Sequence, residues 1–331
     1  MSGEGSNENR VPNIPAIEEP RPPRNLQDLL RYAVEAGGNS ASNNNVAPLD
    51  PERRRFLEEA LKSMTVDFAK ELAEAIQTLK SLQNPESEQL DEEEYEAALD
   101  KIADFVDNID AANDFFKLGG FDVVNMCLES PSAGIRWRIA DVVAQCTQNN
   151  PFCQAHAVAM NFQQPLLTMV DLDNDDKCKV KAFFAVSCIV RDCAEGLKQF
   201  ISHDGFSVVL RGMQSSVERL RNKTTFFLSA MITKNPDIKE ILFKMGFVEQ
   251  LIALIRGDHT SCHEHIISAL LSLVQNYDEA QAECRRPEFE LRLTLQNLLN
   301  EYSQDEAFRE EIAYIRELMS IVFNGDNEEE R

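Results

Sequence analysis

The chain has 331 residues, with 33 Lys and Arg against 56 Asp and Glu, so its formal charge is −23 and its pI is about 4.6. Nucleic acids and anionic membrane surfaces are bound mainly through Lys and Arg, so this balance argues against both as partners. No apolar run reaches the roughly 18 residues of a membrane span, and the first 30 residues lack the pattern of a secretory signal. We therefore expect a cytoplasmic protein, with nuclear entry left open.

The cysteines agree with a reducing compartment. Eight are scattered along the chain and none forms a CxxC pair, the spacing typical of zinc ribbons and thioredoxins. Most lie among apolar residues, as in Val186-Ser187-Cys188-Ile189. We expect reduced thiols that serve as small core side chains.

Residues 1–50 are rich in Pro, Asn, Ser, Gly and Glu, a composition that predicts a disordered segment. Residues 25–36 interrupt it with an apolar helical stripe, formed by Leu26, Leu29, Leu30, Ala33 and Val34. About twelve residues make a marginal helix in water. Two interpretations stay open: a fluctuating turn in a tail, or a short linear motif that folds on a partner.

The pattern becomes helical at Asp50-Pro51, a good cap followed by a good first helical residue. A long helix to about residue 83 and an acidic helix over about 87–108 follow, and residues 51–110 are predicted to be N-terminal capping helices. No run of alternating β-branched residues predicts a strand. The chain is predicted to be all-α.

Two markers then recur at nearly constant spacing. A break followed by Phe occurs at Phe121, Phe162, Phe206 and Phe247, with spacings of 41, 44 and 41. A polar residue ends a helix at Asn149, Asp192, Asn235 and Asn276, with spacings of 43, 43 and 41. A period near 42 with about three helices per unit is typical of armadillo repeats. We predict an armadillo-like right-handed superhelical solenoid of about four three-helix repeats over 111–286, C-terminal capping helices over 287–323 and an acidic tail over 324–331.

Motifs that carry chemistry are missing from the sequence. It holds no GxxxxGK[ST], GxGxxG, GxSxG or HExxH. Asp171-x-Asp173-x-Asp175 lacks the Gly and Glu that complete a calcium loop. His263 and His265 would point about 200° apart on one helix, which argues against a shared zinc ion, and Ser261 with Glu264 suggests a capping box instead. We expect no enzyme activity, cofactor or metal.

Positive charge gathers on the third helix of the first three repeats, whereas the fourth, over residues 263–275, has a net charge of −1 from Glu264. Residues 177–191 and 219–234 each carry four basic residues and no acidic one, and residues 136–148 carry two against one. Third helices line the concave face of armadillo solenoids, so the sequence predicts a basic groove suited to an acidic protein surface. The predicted contact residues are Arg136, Arg138, Lys179, Lys181, Arg221, Lys223, His263 and Glu264. The alternative is a set of solvated faces that improve solubility.

Aromatic residues on the same helices are predicted to pack in the core. These are Phe183, Phe184, Phe226 and Phe227. Trp137, which lies near the start of the first of these helices, could serve either as a core anchor or as an interface anchor.

Several stretches resemble the armadillo-type nucleotide exchange factors of the seventy-kilodalton heat-shock chaperone. They are Arg21-Pro-Pro-Arg-Asn-Leu-Gln, Gly134-Ile-Arg-Trp-Arg-Ile-Ala, Val180-Lys-Ala-Phe-Phe-Ala-Val-Ser-Cys-Ile-Val-Arg, Asp204-Gly-Phe-Ser-Val-Val-Leu and His263-Glu-His. The resemblance extends over roughly residues 21–290. Residues 1–20 and 39–48 look divergent, so family properties that depend on them do not transfer.

The resemblance implies a specific partner and mechanism. In this family the concave face grips one lobe of the chaperone's ATPase domain, a grip incompatible with a closed nucleotide cleft, so ADP leaves. The N-terminal segment acts on the substrate-binding domain and assists client release, a role that would fall here to Leu26, Leu29 and Leu30. We expect a monomer. The alternatives are a generic armadillo scaffold without exchange activity, or an adaptor for basic localisation signals, which would need an acidic groove.

Overall fold

The computed structural model describes Arg55, residues 68–83 and residues 91–323. The predicted N-terminal motif at 25–36, the rest of the segment 1–50 and the acidic tail 324–331 lie outside these residues. The chain divides into the units Met1–Glu71 and Leu72–Arg331, and the helical repeats lie in the second unit.

Within residues 68–83 and 91–323 every regular element is helical, as predicted. The α-helices are α1 (residues 68–80), α2 (Glu92–Val106), α3 (Ile109–Lys117), α4 (Val124–Leu128), α5 (Ala133–Thr147), α6 (Pro151–Ala159), α7 (Gln163–Leu172), α8 (Asp176–Val190), α9 (Ala194–Ser202), α10 (Gly205–Met213), α11 (Glu218–Lys234), α12 (Lys239–Lys244), α13 (Phe247–Ile255), α14 (His263–Val274), α15 (Asp278–Cys284), α16 (Leu291–Tyr302) and α17 (Arg309–Phe323). Short 3₁₀ turns occupy Ser81–Gln83, Gly120–Val123, Pro236–Ile238, Pro287–Phe289 and Glu306–Phe308. None of these described helices is long and apolar enough to cross a membrane.

The helices group in threes, and the third helix of each group packs against the next third helix. This series runs α2, α5, α8, α11, α14, α17. Contacts along it join residues about 40 apart: Lys181 with Asp141, Ser229 with Ser268 and Thr233 with Ser272. The nearly constant offset means that successive third helices run parallel. The three-helix armadillo-like repeat predicted from the period is confirmed, and α15–α17 form a further unit of the same kind.

In the four repeats predicted from the sequence, each corner between a first and a second helix has a residue with left-handed backbone. These residues are Gly119, Asn161, Asp204 and Gly246, with φ between 55° and 81°. Only Gly, and less often Asn or Asp, adopts this conformation at low cost. The Phe that follows one or two positions later is buried in every repeat: Phe121, Phe162, Phe206 and Phe247. Each Phe of the repeating marker is therefore a buried core residue that directly follows a corner between two helices.

All eight cysteines are free, and all except the half-buried Cys193 are buried, as predicted. Burial raises the pKa of the Cys127 and Cys284 thiols to about 12 and that of the Cys153 thiol to about 11. These thiols stay protonated near neutral pH and act as apolar filling between the repeats.

Candidate functional site

The accessible strip of the third helices forms a continuous surface, which we call the third-helix face. Its central row is a repeat-equivalent position occupied by Arg138, Lys181, Lys223 and His265, spaced 43, 42 and 42 residues apart. All four side chains are half-buried or exposed. Of the eight predicted contact residues, Arg138, Lys181 and Lys223 lie on this row, and the half-buried Glu264 lies beside it.

The other four predicted contact residues occupy a different equivalent position, two residues earlier in each repeat: Arg136, Lys179, Arg221 and His263. A step of two residues turns a side chain by about 200° around a helix, so this position faces away from the central row. Arg136 and Arg221 instead reach back to the loop before their own helix. Arg136 donates to the carbonyl oxygens of Ser130 and Pro131 at 2.9 and 2.8 Å, and Arg221 donates to that of Ser215 at 2.8 Å.

Arg136 and His263 are the most completely engaged of these four. Arg136 donates through Nε and Nη2 to both carboxylate oxygens of Asp173, at 2.8 and 2.9 Å. His263 is 1% exposed; its Nδ1 accepts from the Thr260 backbone N–H, so its Nε2 donates to the carbonyl of Ile255. Burial lowers the pKa of His263, so this histidine is a neutral core residue. The structure therefore does not bring Arg136, Lys179, Arg221 and His263 onto the surface that they were expected to share.

On the central row, the basic residues differ in what they contact. Arg138 bridges to Glu96 and Asp100 of α2 at 2.9 and 2.8 Å, and Lys181 bonds Asp141 at 2.6 Å. By contrast, the Lys223 ammonium lies 4.7 Å from the centroid of the Phe184 ring. Within the part of the chain that the structure describes, Lys223 has no carboxylate partner. On the central row, the charges of Arg138 and Lys181 are thus compensated by carboxylates, whereas that of Lys223 is not compensated by any described residue.

Two further basic residues belong to the face and were not among the predicted contacts. Lys177 lies one turn before Lys181, with its ammonium 3.1 Å from the centroid of the Trp137 ring. Arg219 lies one turn before Lys223 and is exposed. Both are four residues before a predicted contact residue on the same helix. That i, i+4 spacing was the signal in the sequence that could have found them.

The prediction that Phe226 packs in the core is wrong. Its side chain is 51% exposed, whereas Phe183 and Phe227 are buried and Phe184 is half-buried. The Phe226 ring packs against His265 of the next repeat in a T-shaped arrangement, with ring centroids 5.4 Å apart. Trp137 is half-buried, with the Arg138 guanidinium 4.3 Å from its ring centroid, so it lies on the face rather than in the core.

The C-terminal half of the face is mostly polar and uncharged. Ser229 and Ser268 are 3.0 Å apart, Thr233 and Ser272 are 3.3 Å apart, and Asn222 donates to Ser261 at 3.2 Å. Ser261 also donates to Glu218, and α14 has no side-chain cap, so the predicted capping box is absent.

A negatively charged residue, Glu264, lies at the C-terminal end of the face. Burial and the nearby Glu310 raise the pKa of Glu264, although His265 opposes this effect.

Within the described ranges no cluster of three or more His, Cys, Asp or Glu is arranged to hold a metal ion. The arrangement offers exposed aromatic rings, cations and hydroxyl groups, which suit binding of a protein surface.

Comparison with known proteins identifies the family. Hsp70-binding protein 1 of Macaca fascicularis is 37% identical over 94% of this chain and 87% of its own length, and that of Homo sapiens is 37% identical over 92% and 87%. The chain belongs to the Hsp70-binding protein 1 family. Family models agree: the SIL1/FES1/HPBP1 C-terminal domain matches residues 111–211, and the nucleotide exchange factor Fes1 matches residues 26–115. A more distant relative is the Hsp70 nucleotide exchange factor FES1 of Yarrowia lipolytica, 28% identical over 55% of this chain and 66% of its own length.

Solved structures place this member of the Hsp70-binding protein 1 family among armadillo folds. A designed armadillo repeat protein aligns with a TM-score of 0.60 at 15% identity, over 75% of this chain and 99% of its own. A second engineered protein aligns with a TM-score of 0.61 at 16% identity, over 76% and 97%. At this identity the likeness concerns the fold alone, and it confirms the predicted armadillo-like architecture.

Proposed function

We propose that this chain is a co-chaperone that binds Hsp70 and promotes exchange of its nucleotide. The observation that carries the proposal is the extent of the similarity: relatives named Hsp70-binding protein 1 match over more than nine-tenths of the chain. The nucleotide exchange activity in this proposal is inferred from more distant relatives, which are named Hsp70 nucleotide exchange factor FES1. The role requires no bond to be made or broken by the chain itself, in keeping with the expectation that it is not an enzyme.

We assign Hsp70 binding to the third-helix face, and its target to one lobe of the ATPase domain. The uncompensated Lys177, Arg219 and Lys223 suit an acidic partner surface and disfavour a basic peptide. In armadillo solenoids the third helices line the concave side, which allows them to surround a convex lobe.

Nucleotide release then follows from linkage. If the face binds the lobe only when the nucleotide cleft is open, the chain raises the population of the open state, and ADP binds that state more weakly. Reciprocity requires that bound ADP weaken the chain's affinity for the ATPase domain by the same factor. No contact between the chain and the nucleotide is needed.

The N-terminal motif with Leu26, Leu29 and Leu30 is proposed to engage the substrate-binding domain and assist client release. Its apolar stripe suits a helix-in-groove contact that orders on binding. Deleting residues 1–40 should leave ADP release unchanged and slow the release of a fluorescent client peptide. Equal client release by the truncated chain would reject this role.

We also propose that the chain acts as a monomer in the cytoplasm. The eight free cysteines suit a reducing compartment. Microscopy of a fluorescent fusion tests the compartment, and sedimentation tests the oligomeric state.

The function is tested by stopped-flow release of labelled ADP from the isolated Hsp70 ATPase domain. Micromolar chain should accelerate release, and unlabelled ATP in excess makes the step irreversible. If the domain binds the chain but releases ADP at its basal rate, the chain is an armadillo scaffold without exchange activity. If the domain does not bind at all, the proposed partner is wrong.

A further inference from the structure

The third-helix face is not uniform, and one part of it combines exposed apolar surface with unpaired charge. We call this part the α8–α11 seam and define it by Phe184, Arg219, Lys223 and Phe226. Arg219 and Lys223 are one turn apart on α11, and Phe226 follows Lys223 by three residues, so the three side chains lie on one strip. Phe184 contributes from the neighbouring helix and carries the Lys223 ammonium over its ring.

Phe226 is unusual among the aromatic residues of the repeats. Its equivalent in the preceding repeat, Phe184, is half-buried, but Phe226 is 51% exposed, although its ring forms a T-shaped pair with that of His265 at an interplanar angle of 66°. One face of the ring is therefore available to a partner. Interface energy tends to concentrate in central aromatic and Arg side chains surrounded by weaker contacts, and Phe226 with Arg219 has this composition.

The charges around Phe226 restrict what can cover it. Lys181 and Arg138 already bond Asp141, Glu96 and Asp100, so a partner carboxylate would have to compete with these pairs. Arg219 and Lys223 have no carboxylate partner among the described residues. A partner carboxylate at the seam gains two cations without displacing an existing acid.

We propose that Phe226 anchors the partner and that Arg219 and Lys223 select it. The matching feature is an aliphatic or aromatic side chain seated on the Phe226 ring and flanked by carboxylates that reach the two cations. This inference rests on the proposed function, because it takes that feature to lie on the Hsp70 ATPase domain. The inference reduces the set of binding residues from the eight predicted contacts, which extend along four repeats, to the α8–α11 seam.

The test compares the affinity of the full chain and its variants for the isolated ATPase domain by calorimetry. Phe226→Ala should weaken binding about thirty-fold, as expected of a central aromatic anchor. Leu293→Ala is the matched control, because Leu293 is 55% exposed on α16 and does not belong to the face; its affinity should stay within about two-fold. Circular dichroism should be unchanged in both variants, since neither side chain fills the core.

A second pair of variants separates free from paired cations at equivalent positions. Lys223→Ala should weaken binding about ten-fold and reduce its dependence on salt, because the partner loses a charge contact. Lys181→Ala should change affinity by less than about three-fold, since the Lys181 ammonium is already bonded to Asp141.

A conservative variant tests the role of the aromatic ring at position 226. Phe226→Tyr, which keeps the ring, should bind the ATPase domain with the affinity of the unmodified chain.

The outcomes distinguish this inference from the function on which it rests. If the unmodified chain fails to bind the ATPase domain, the proposed function is wrong. If it binds and accelerates ADP release but Phe226→Ala retains its affinity, the seam is not the anchor. A larger loss for Lys181→Ala than for Lys223→Ala would likewise overturn the selection by unpaired charge.

Discussion

Basic residues two positions apart on a third helix have different roles: one lies on the third-helix face and the other bonds the loop before its helix. Arg138 and Lys223 present their side chains on the third-helix face, whereas Arg136 and Arg221 hold the preceding loop. The side chain of Asp173 is only 6% exposed, so Arg136 compensates a nearly buried carboxylate. Burial raises the pKa of Asp173, but the hydrogen bonds from Arg136 and the Asp175 backbone N–H outweigh it and hold that pKa below its usual value.

Replacing Arg136 should therefore damage stability rather than binding. Arg136→Leu leaves the Asp173 carboxylate without its cation and should lower the free energy of unfolding by about 3–5 kcal/mol. Arg219→Leu, which removes an exposed cation without a described partner, should change it by less than about 0.5 kcal/mol. Urea unfolding followed by circular dichroism measures both. Equal losses in the two variants would contradict the assignment of a structural role to Arg136.

His263 is a second residue with a structural role, and it should make the stability of the fold depend on pH. Its pKa is lowered in the fold, chiefly by burial, so below about pH 6.5 the unfolded chain takes up a proton that the folded chain does not. The stability that depends on the neutral ring is thus present above that pH and is lost as pH falls toward the lowered pKa.

The variant His263→Gln cannot titrate at this position. The drop in melting temperature between pH 7.5 and pH 5.5 should accordingly be smaller in His263→Gln than in the unmodified chain, even if the variant is less stable at both. Scanning calorimetry at the two pH values gives the comparison. An undiminished drop would show that His263 does not contribute to the pH dependence.

At the scale of elements, the corners between first and second helices explain why the period was visible in the sequence. Each Phe of the marker is buried and follows directly on a Gly or Asn, namely Gly120, Asn161, Gly205 or Gly246, and both residues of the marker have a physical cause. In two repeats, however, the left-handed residue is Gly119 or Asp204 rather than the Gly that precedes Phe. A Cβ on Gly120 or Gly205 would lie 2.2 or 2.3 Å from the ring of Phe115 or Phe200, so these glycines are required by packing.

The distinction between neighbouring corner residues predicts opposite tolerance. Gly205→Ala must push the Phe200 ring and should cost about 1–3 kcal/mol of unfolding free energy, as overpacking does. Asp204→Gly should change stability by less than about 1 kcal/mol, because glycine tolerates the positive φ of 56° found there. Thermal unfolding measures the stability of both variants. If Gly205→Ala is as stable as the unmodified chain, the Phe200 ring repacks freely and the packing argument is wrong.

The third helices mark the limit of what the sequence could predict. Apolar periodicity and corner residues recur in every unit, so the helices, the period and the fold class were predictable. The face was only half predictable, because Lys179 and Lys181 look alike in sequence but point to opposite sides. Which cation meets a carboxylate depends on contacts between repeats, such as Lys181 with Asp141, and the exposure of Phe226 depends on the same packing.

On the scale of the whole molecule, a strongly acidic chain carries a local surface of the opposite sign. The net charge of −23 repels acidic partners at long range, whereas Lys177, Arg219 and Lys223 attract them at the face. Screening by salt weakens the distant repulsion more than the close contacts. Association should therefore be restricted to one orientation, in which the face meets an acidic lobe.

The proposed exchange activity requires that the chain and ADP bind opposing states of the Hsp70 ATPase domain. Calorimetric titration of the chain into that domain, once free of nucleotide and once saturated with ADP, measures this opposition. Binding to the ADP-loaded domain should be weaker by about 5–150-fold, the range typical of coupled sites. Equal affinity for the two forms would contradict the mechanism, since a partner without preference for the open cleft cannot drive nucleotide out.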